Sequence, residues 1–262
     1  DLGFNIMELN YKTFGEGFAL ISLHGLFGSL DNGQTIAKKL TANFKVFIVD
    51  QRNHGGSPHT KEFSYKLLSD DLLKFIDNQN IRQCYIIGHS MGGKTAMEFT
   101  LTHPERVKKL IVVDIAPAAY NDQHSIIFNA MFAADVKHKT SRNDVEIFLR
   151  NKLNNDVATV QFLMKSLKRA DIGVNGFEWK FNLESLYKNY TQISGAVNSS
   201  TPFNGQTLFI KGEKSTYINS GNYASIVQLF PNHQIAEIKG AGHWVQAEKP
   251  VEFVQEVMKF LA

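Results

Sequence analysis

Three short segments of this 262-residue chain hold residues whose types and spacing could do chemistry. The first is Gly88-His89-Ser90-Met91-Gly92, a G-x-S-x-G pattern that follows an apolar run and opens a segment of helical spacing. Its glycines permit a tight turn, which would lift the Ser90 hydroxyl clear of its strand as a nucleophile. The helix that follows would aim its first amides at the same point and favour negative charge there. The second segment is His24-Gly25-Leu26-Phe27-Gly28, also at the end of an apolar run. Acyl transfer needs two donors aimed at the developing oxyanion, and the Leu26 and Met91 amides are the candidate pair. The third is Gly240-Ala241-Gly242-His243-Trp244, which puts a histidine on a glycine-rich loop late in the chain. His243 could take the serine proton and return one to a leaving group. Of the nine histidines, His24 and His89 sit inside the other motifs, where loop packing suits them better than catalysis.

A serine–histidine pair needs a carboxylate to orient the imidazole. Val112-Val113-Asp114-Ile115 offers one, because Asp114 closes an apolar strand-like run. A carboxylate there is costly unless something charged pairs with it, which favours a functional place for Asp114. Glu213, in Gly212-Glu213-Lys214-Ser215-Thr216, is the rival.

These residues need a scaffold that brings distant loops to one place. Apolar, β-branched runs at 19–23, 45–50, 84–88, 109–114, 207–212 and 234–238 predict strands covered on both faces. Segments 32–41, 65–79, 91–102, 219–229 and 249–261 carry helical spacing; Leu68, Leu72, Phe75 and Ile76 form one apolar stripe. Alternation of this kind predicts an α/β fold, a mostly parallel sheet with helices on both faces. Residues 5–14 alternate more loosely and could add an antiparallel edge hairpin. The pattern breaks between about 117 and 204, where 126–133, 145–152 and 157–168 read as helices and 176–181 as a short extended piece. The expected organisation is one domain: a core of 1–116 and 205–262, with 117–204 inserted as a helical cap. Phe128, Met131, Phe132, Phe162, Leu163, Trp179 and Phe181 of that cap could line an acyl pocket, although helix packing is their default reading. In the loop 50–57, Asp50 and Arg52 are expected to form a buried pair; a substrate contact from Asn53 or His54 is a weaker reading.

Composition narrows the function classes. Hydrophobic residues make up 43% and charged residues 20%, ordinary for a folded globular chain. The net charge of +3 is small and dispersed, and no basic run alternates with aromatics, so a nucleic-acid partner is not expected. The single cysteine, Cys84, allows no internal disulfide and reads as a buried strand residue. No apolar stretch reaches the roughly 18 residues of a membrane span, so stable membrane insertion is not expected. No signal peptide is visible, which points to a cytoplasmic location. Met7 is a candidate natural start, which would make residues 1–6 a cloning remnant.

Taken together, residues 24–32, 52–55, 88–94, 114–117 and 240–248 resemble the α/β-hydrolase superfamily, and within it the YbfF-type bacterial esterases. The resemblance runs over nearly the whole chain and is weakest between 117 and 204. It implies an eight-stranded, mostly parallel sheet with a helical cap, no cofactor and no metal. In most hydrolases of this fold the acid follows the strand before the last, where Ser215 stands here. The YbfF type instead implies an acid on the strand after the nucleophile, which matches Asp114. The implied activity is hydrolysis of acyl esters or acyl-CoA thioesters, so the expected partner is a small acyl ester or thioester. Carbon–carbon bond hydrolysis or cofactor-free perhydrolysis could use the same residues, and a ligand-binding receptor could retain them. Epoxide hydrolysis and dehalogenation are disfavoured, because they need a carboxylate where Ser90 stands. The sequence gives no oligomeric state.

Overall fold

Every apolar run read as a strand is a strand in the computed structural model, which describes residues 7–170 and 176–262. β1 (Tyr11–Phe14) lies at one edge, followed by β2 (Phe18–Leu23), α1 (Gln34–Leu40) and β3 (Phe44–Val49). Next come α2 (Tyr65–Asn78), β4 (Cys84–His89), α3 (Met91–Thr102) and β5 (Val107–Val113). After β5 the chain builds α4 (Ser125–Ala133), α5 (Arg142–Lys152), α6 (Val157–Lys165), the hairpin β6 (Leu167–Arg169) and β7 (Phe177–Trp179), α7 (Leu183–Lys188) and α8 (Tyr190–Ser194). It then resumes with β8 (Gln206–Gly212), α9 (Tyr223–Leu229), β9 (His233–Ile238), α10 (Val245–Glu248) and α11 (Pro250–Leu261).

The main sheet has the order β1-β3-β2-β4-β5-β8-β9, with β1 antiparallel and every other pair parallel. Alternation along the strands builds two cores. Ile21, Leu23, Ile86, Leu110, Val112 and Phe209 pack with α2, α3 and α9 on one face. Leu20, Ile87, Ile111, Val113, Leu208 and Ile210 pack with α1 and α11 on the other. In α2, capped by the Ser64 hydroxyl accepting from the Leu67 amide, the expected stripe is buried. Each such side chain contributes about 1.5–3 kcal/mol on burial. Between β5 and β8 a third apolar cluster joins α4 to α8 with Leu26, Phe27 and Met91, placing that segment against the carboxyl ends of β2 and β4. No helix among the described residues is long and apolar enough to cross a membrane.

Several expectations are corrected. Among the described residues the main sheet has seven strands rather than eight, and the edge piece is the single strand β1. The first residues of the hairpin expected from residue 5, and the question of whether 1–6 are native, lie outside the described residues. The helix expected over 157–168 ends at Lys165, because Leu167–Arg169 pairs with Phe177–Trp179. The helix expected from 219 starts at Tyr223: the Asn222 side chain accepts from the Asn219 amide and the Asn219 side chain from Gly221, which holds a turn instead. The short helices α7 and α8 carry no long apolar stripe and escape a periodicity reading.

Candidate active site

Ser90 sits between β4 and α3 with φ 53° and ψ −117°, a strained backbone for a side chain other than glycine. Its amide donates to the Val113 carbonyl and its carbonyl accepts from Lys94, so the turn is locked from both sides. The two glycines of the motif are there for closeness rather than flexibility. A Cβ on Gly88 would stand 2.2 Å from the Gly92 carbonyl oxygen, and one on Gly92 2.5 Å from the Leu23 and His24 carbonyl oxygens. Gly92→Ala is therefore expected to push α3 away from the end of β2 and destabilise the fold by about 1–3 kcal/mol. An unchanged urea midpoint would show that the elbow tolerates the shift.

Asp114 follows the last residue of β5 in the left-handed region, φ 52°, which an aspartate tolerates better than most residues. Its carboxylate is fully buried. Oδ1 accepts from the Gly212 amide at 3.0 Å, while Oδ2 accepts from the Ser215 hydroxyl and lies 2.7 Å from His243 Nδ1. His243 Nε2 lies 3.1 Å from Ser90 Oγ. Ser90, His243 and Asp114 thus form one hydrogen-bonded line, although His243 comes from the loop between β9 and α10. Tyr217 stacks on the imidazole, ring centres 4.2 Å apart at 25°, and fixes its plane. Glu213, the rival acid, points elsewhere: its Oε2 accepts from the Gly240 amide. Ser215, which occupies the more usual acid position, instead donates to Asp114.

Two other histidines near Ser90 are poor bases. His89 donates from Nε2 to the His243 carbonyl, and burial pulls its pKa down to about 3. His124 lines the same space, and burial pulls it down to about 4. Each would spend almost no time protonated near neutrality, far from the matching that general-base catalysis favours. His24 braces the preceding loop, Nδ1 against the Gly25 carbonyl and Nε2 accepting from the Gln51 amide. Among the described residues, no group of three or more histidine, cysteine, aspartate or glutamate side chains is arranged to hold a metal.

Leu26 and Met91, the candidate oxyanion donors, both line the space around Ser90. The seven candidate pocket residues divide, and most follow the packing reading. Phe162 and Leu163 reach the space beside Ser90, but Phe128 and Met131 are packed inside the third cluster, Phe132 is exposed, and Trp179 stacks on Phe181. On the other side of Ser90 the lining comes from Tyr65, Tyr120, Tyr190, Ile193 and Tyr217. These residues come from four separate parts of the chain, α2, α8 and the loops after β5 and β8, and only Tyr190 and Ile193 are neighbours in sequence. Lys94 was also missed. It is 1% exposed, burial lowers its pKa to about 7, and its ammonium donates to the Ser194 and Gly195 carbonyls. Its place on the helix behind Ser90, one turn from that serine, was the available signal.

The expected Asp50–Arg52 pair does not form. Asp50 is already surrounded by donors, accepting from the Leu30 and Gly56 amides and the Asn10 side chain. Arg52 turns to α2, where Asp71 receives its guanidinium in two bonds of 2.8 and 2.9 Å, both side chains buried. Asn53 and His54 hold the loop to later elements: Asn53 bonds Ser185, and His54 bridges to Phe181. Asp71→Asn would leave the guanidinium uncompensated and is expected to destabilise the chain by about 3–5 kcal/mol in urea unfolding. A loss below about 1 kcal/mol would show that water or another acceptor replaces the carboxylate.

Comparison with known proteins agrees with this architecture. A family model described as the alpha/beta hydrolase fold matches residues 19–250, and the chain belongs to the α/β-hydrolase family. A solved marine microorganism esterase superposes with a TM-score of 0.93 at 41% identity, over 97% of this chain and 99% of that one. Esterase YbfF of Escherichia coli is 36% identical over 243 residues, 92% of this chain and 92% of its own. The sn-1-specific diacylglycerol lipase ABHD11 of Danio rerio is 38% identical over 268 residues, 97% of this chain and 83% of its own. The resemblance to YbfF-type esterases read from the motifs holds.

Proposed function

We propose that the chain is a serine esterase that cleaves small carboxylic esters, or thioesters by the same acyl transfer, through an acyl-enzyme on Ser90. The observation that carries the reading is the line from Ser90 Oγ through both imidazole nitrogens of His243 to the buried carboxylate of Asp114. His243 Nε2 takes the hydroxyl proton as Ser90 Oγ attacks the carbonyl carbon. The Leu26 and Met91 amides stabilise the oxyanion. His243 passes the proton to the departing oxygen or sulfur, then activates a water that releases the acid. Asp114 holds the imidazole tautomer with its proton on Nδ1. Residues 117–204 act as a cap over a core of 1–116 and 205–262, and a cap of this kind would exclude bulk water from the intermediate.

The test is steady-state hydrolysis of p-nitrophenyl esters of increasing acyl length, with Ser90→Ala as control. Sustained turnover that the substitution removes is the expected result. A single stoichiometric burst, or no release, would replace the esterase reading with that of a binding protein that retains a hydrolase pocket.

A further inference from the structure

A second, larger space lies beside the site. A cleft of about 220 Å³ starts between the exposed Gln161 and Lys165 of α6 and Ala247 and Glu248 of α10. It runs inward between the sheet and α1 to Leu40, Ile48 and Phe253. Ser22 lines it and is only half-buried, although its strand β2 is flanked by β3 and β4 on both sides; open space therefore reaches the middle of the sheet. Most of the wall is apolar, aliphatic side chains with a few aromatic ones, but the Gln246 side-chain oxygen is buried there with no hydrogen-bond partner among the described residues. An apolar wall with a few polar handles is the usual form of a small-molecule site.

The position of the cleft indicates which part of an ester it would hold. Two small spaces of about 30 Å³ each touch Ser90. One lies on the side of Leu26, Met91 and Tyr65, without His243 in its wall. The other has His243 in its wall and shares Gly25, His89, Phe162 and Trp244 with the large cleft. The imidazole must protonate the departing oxygen, so the leaving group lies on the His243 side of Ser90 and the acyl group on the other. Phe162 and Trp244, ring centres 5.3 Å apart, form the partition between the leaving-group side and the cleft.

Resting on the Ser90 reading, we propose that the cleft binds the hydrocarbon of the leaving alcohol, so that the chain prefers esters of a short acid with a long-chain alcohol. An apolar cavity of about 150 Å³ holds one benzene, so 220 Å³ accommodates a chain of roughly eight carbons. The acyl side, by the same scale, has room for about a water-sized group beyond the carbonyl. A hydroxyl or ether oxygen on the alcohol chain would find its acceptor or a bridging water at Gln246.

The experiment compares acetate esters of alcohols from two to ten carbons with ethyl esters of acids of the same lengths. For the acetates, kcat/KM is expected to climb by up to about four-fold per methylene until near eight carbons. For the ethyl esters it is expected to fall beyond the shortest acids. Gly33→Leu fills the cleft, since a Cβ there points between Ile48 and Ser22. It should flatten the alcohol series, lowering the octyl-to-ethyl acetate ratio at least ten-fold; Ala37→Met on the same wall serves if that variant does not fold. A climb with acid length that Gly33→Leu removes would overturn the proposal by making the cleft an acyl site. Flat series in both directions would overturn it in favour of a water-filled cleft. Binding of 1-octanol to the Ser90→Ala chain by calorimetry, weakened by Gly33→Leu, separates the two readings. With no turnover but intact octanol binding, the Ser90 reading fails and the cleft stands; with turnover but no octanol binding, the cleft fails alone.

Discussion

Replacing Ser90 by alanine is expected to lower kcat by roughly 10⁶-fold on an activated ester, with KM little changed, as nucleophile removal does in other serine triads. The expectation rests on geometry. The Ser90 hydroxyl stands 3.1 Å from His243 Nε2, and the turn that holds it is locked by Val113 and Lys94. Alanine at 90 accepts the same backbone and leaves the surrounding donors in place. Any residual rate then measures what Leu26, Met91 and binding supply alone. The check is single-turnover and steady-state hydrolysis of p-nitrophenyl acetate with matched circular dichroism. A loss of less than about ten-fold in a folded variant would move the nucleophile elsewhere.

Asp114→Asn is expected to cost about 10⁴-fold in turnover, with substrate binding nearly unchanged. The carboxylate accepts from His243, Ser215 and the Gly212 amide together, so an amide at this position must turn a donor toward one of them. If that donor meets His243 Nδ1, the imidazole is held with its proton on the nitrogen facing Ser90 and cannot act as base. Glu213→Gln should change turnover only a few-fold, because that carboxylate serves the Gly240 amide. The reverse ranking would return the acid to Glu213. Folding of both variants is checked by their urea midpoints, since loss of a buried carboxylate can also weaken the sheet.

Much of this was legible in the sequence because the signals are local. A G-x-S-x-G between a strand and a helix, and an aspartate closing an apolar run, are each read within ten residues. Periodicity placed the strands and the long helices α2, α3 and α11 for the same reason. What escaped was set by distant partners. Arg52 had Asp50 two residues away and chose Asp71, because Asp50 was already satisfied by two amides and an asparagine. The tyrosines around Ser90 converge from α2, α8 and the loops after β5 and β8, a juxtaposition that only the assembled fold creates. The aromatics of 117–204 chosen for their apolar character pack mostly against other aromatics, Phe128 on Phe27 and Tyr190, Phe132 on Tyr187 and Trp179 on Phe181. Lys94 carries no local signal of burial, yet it is the most buried lysine or arginine among the described residues.

The meeting of Asp114 and Ser215 has a topological consequence. One side chain comes from the end of β5 and the other from the loop after β8, yet the Ser215 hydroxyl donates to the same Asp114 oxygen that faces His243 Nδ1. The two strands are parallel neighbours, with Val113 opposite Ile210, so both run out at the same end of the sheet. The negative charge and the hydroxyl that steadies it thus come from two neighbouring strands and meet at one oxygen. A shift of either strand end would therefore reach the imidazole through that single atom.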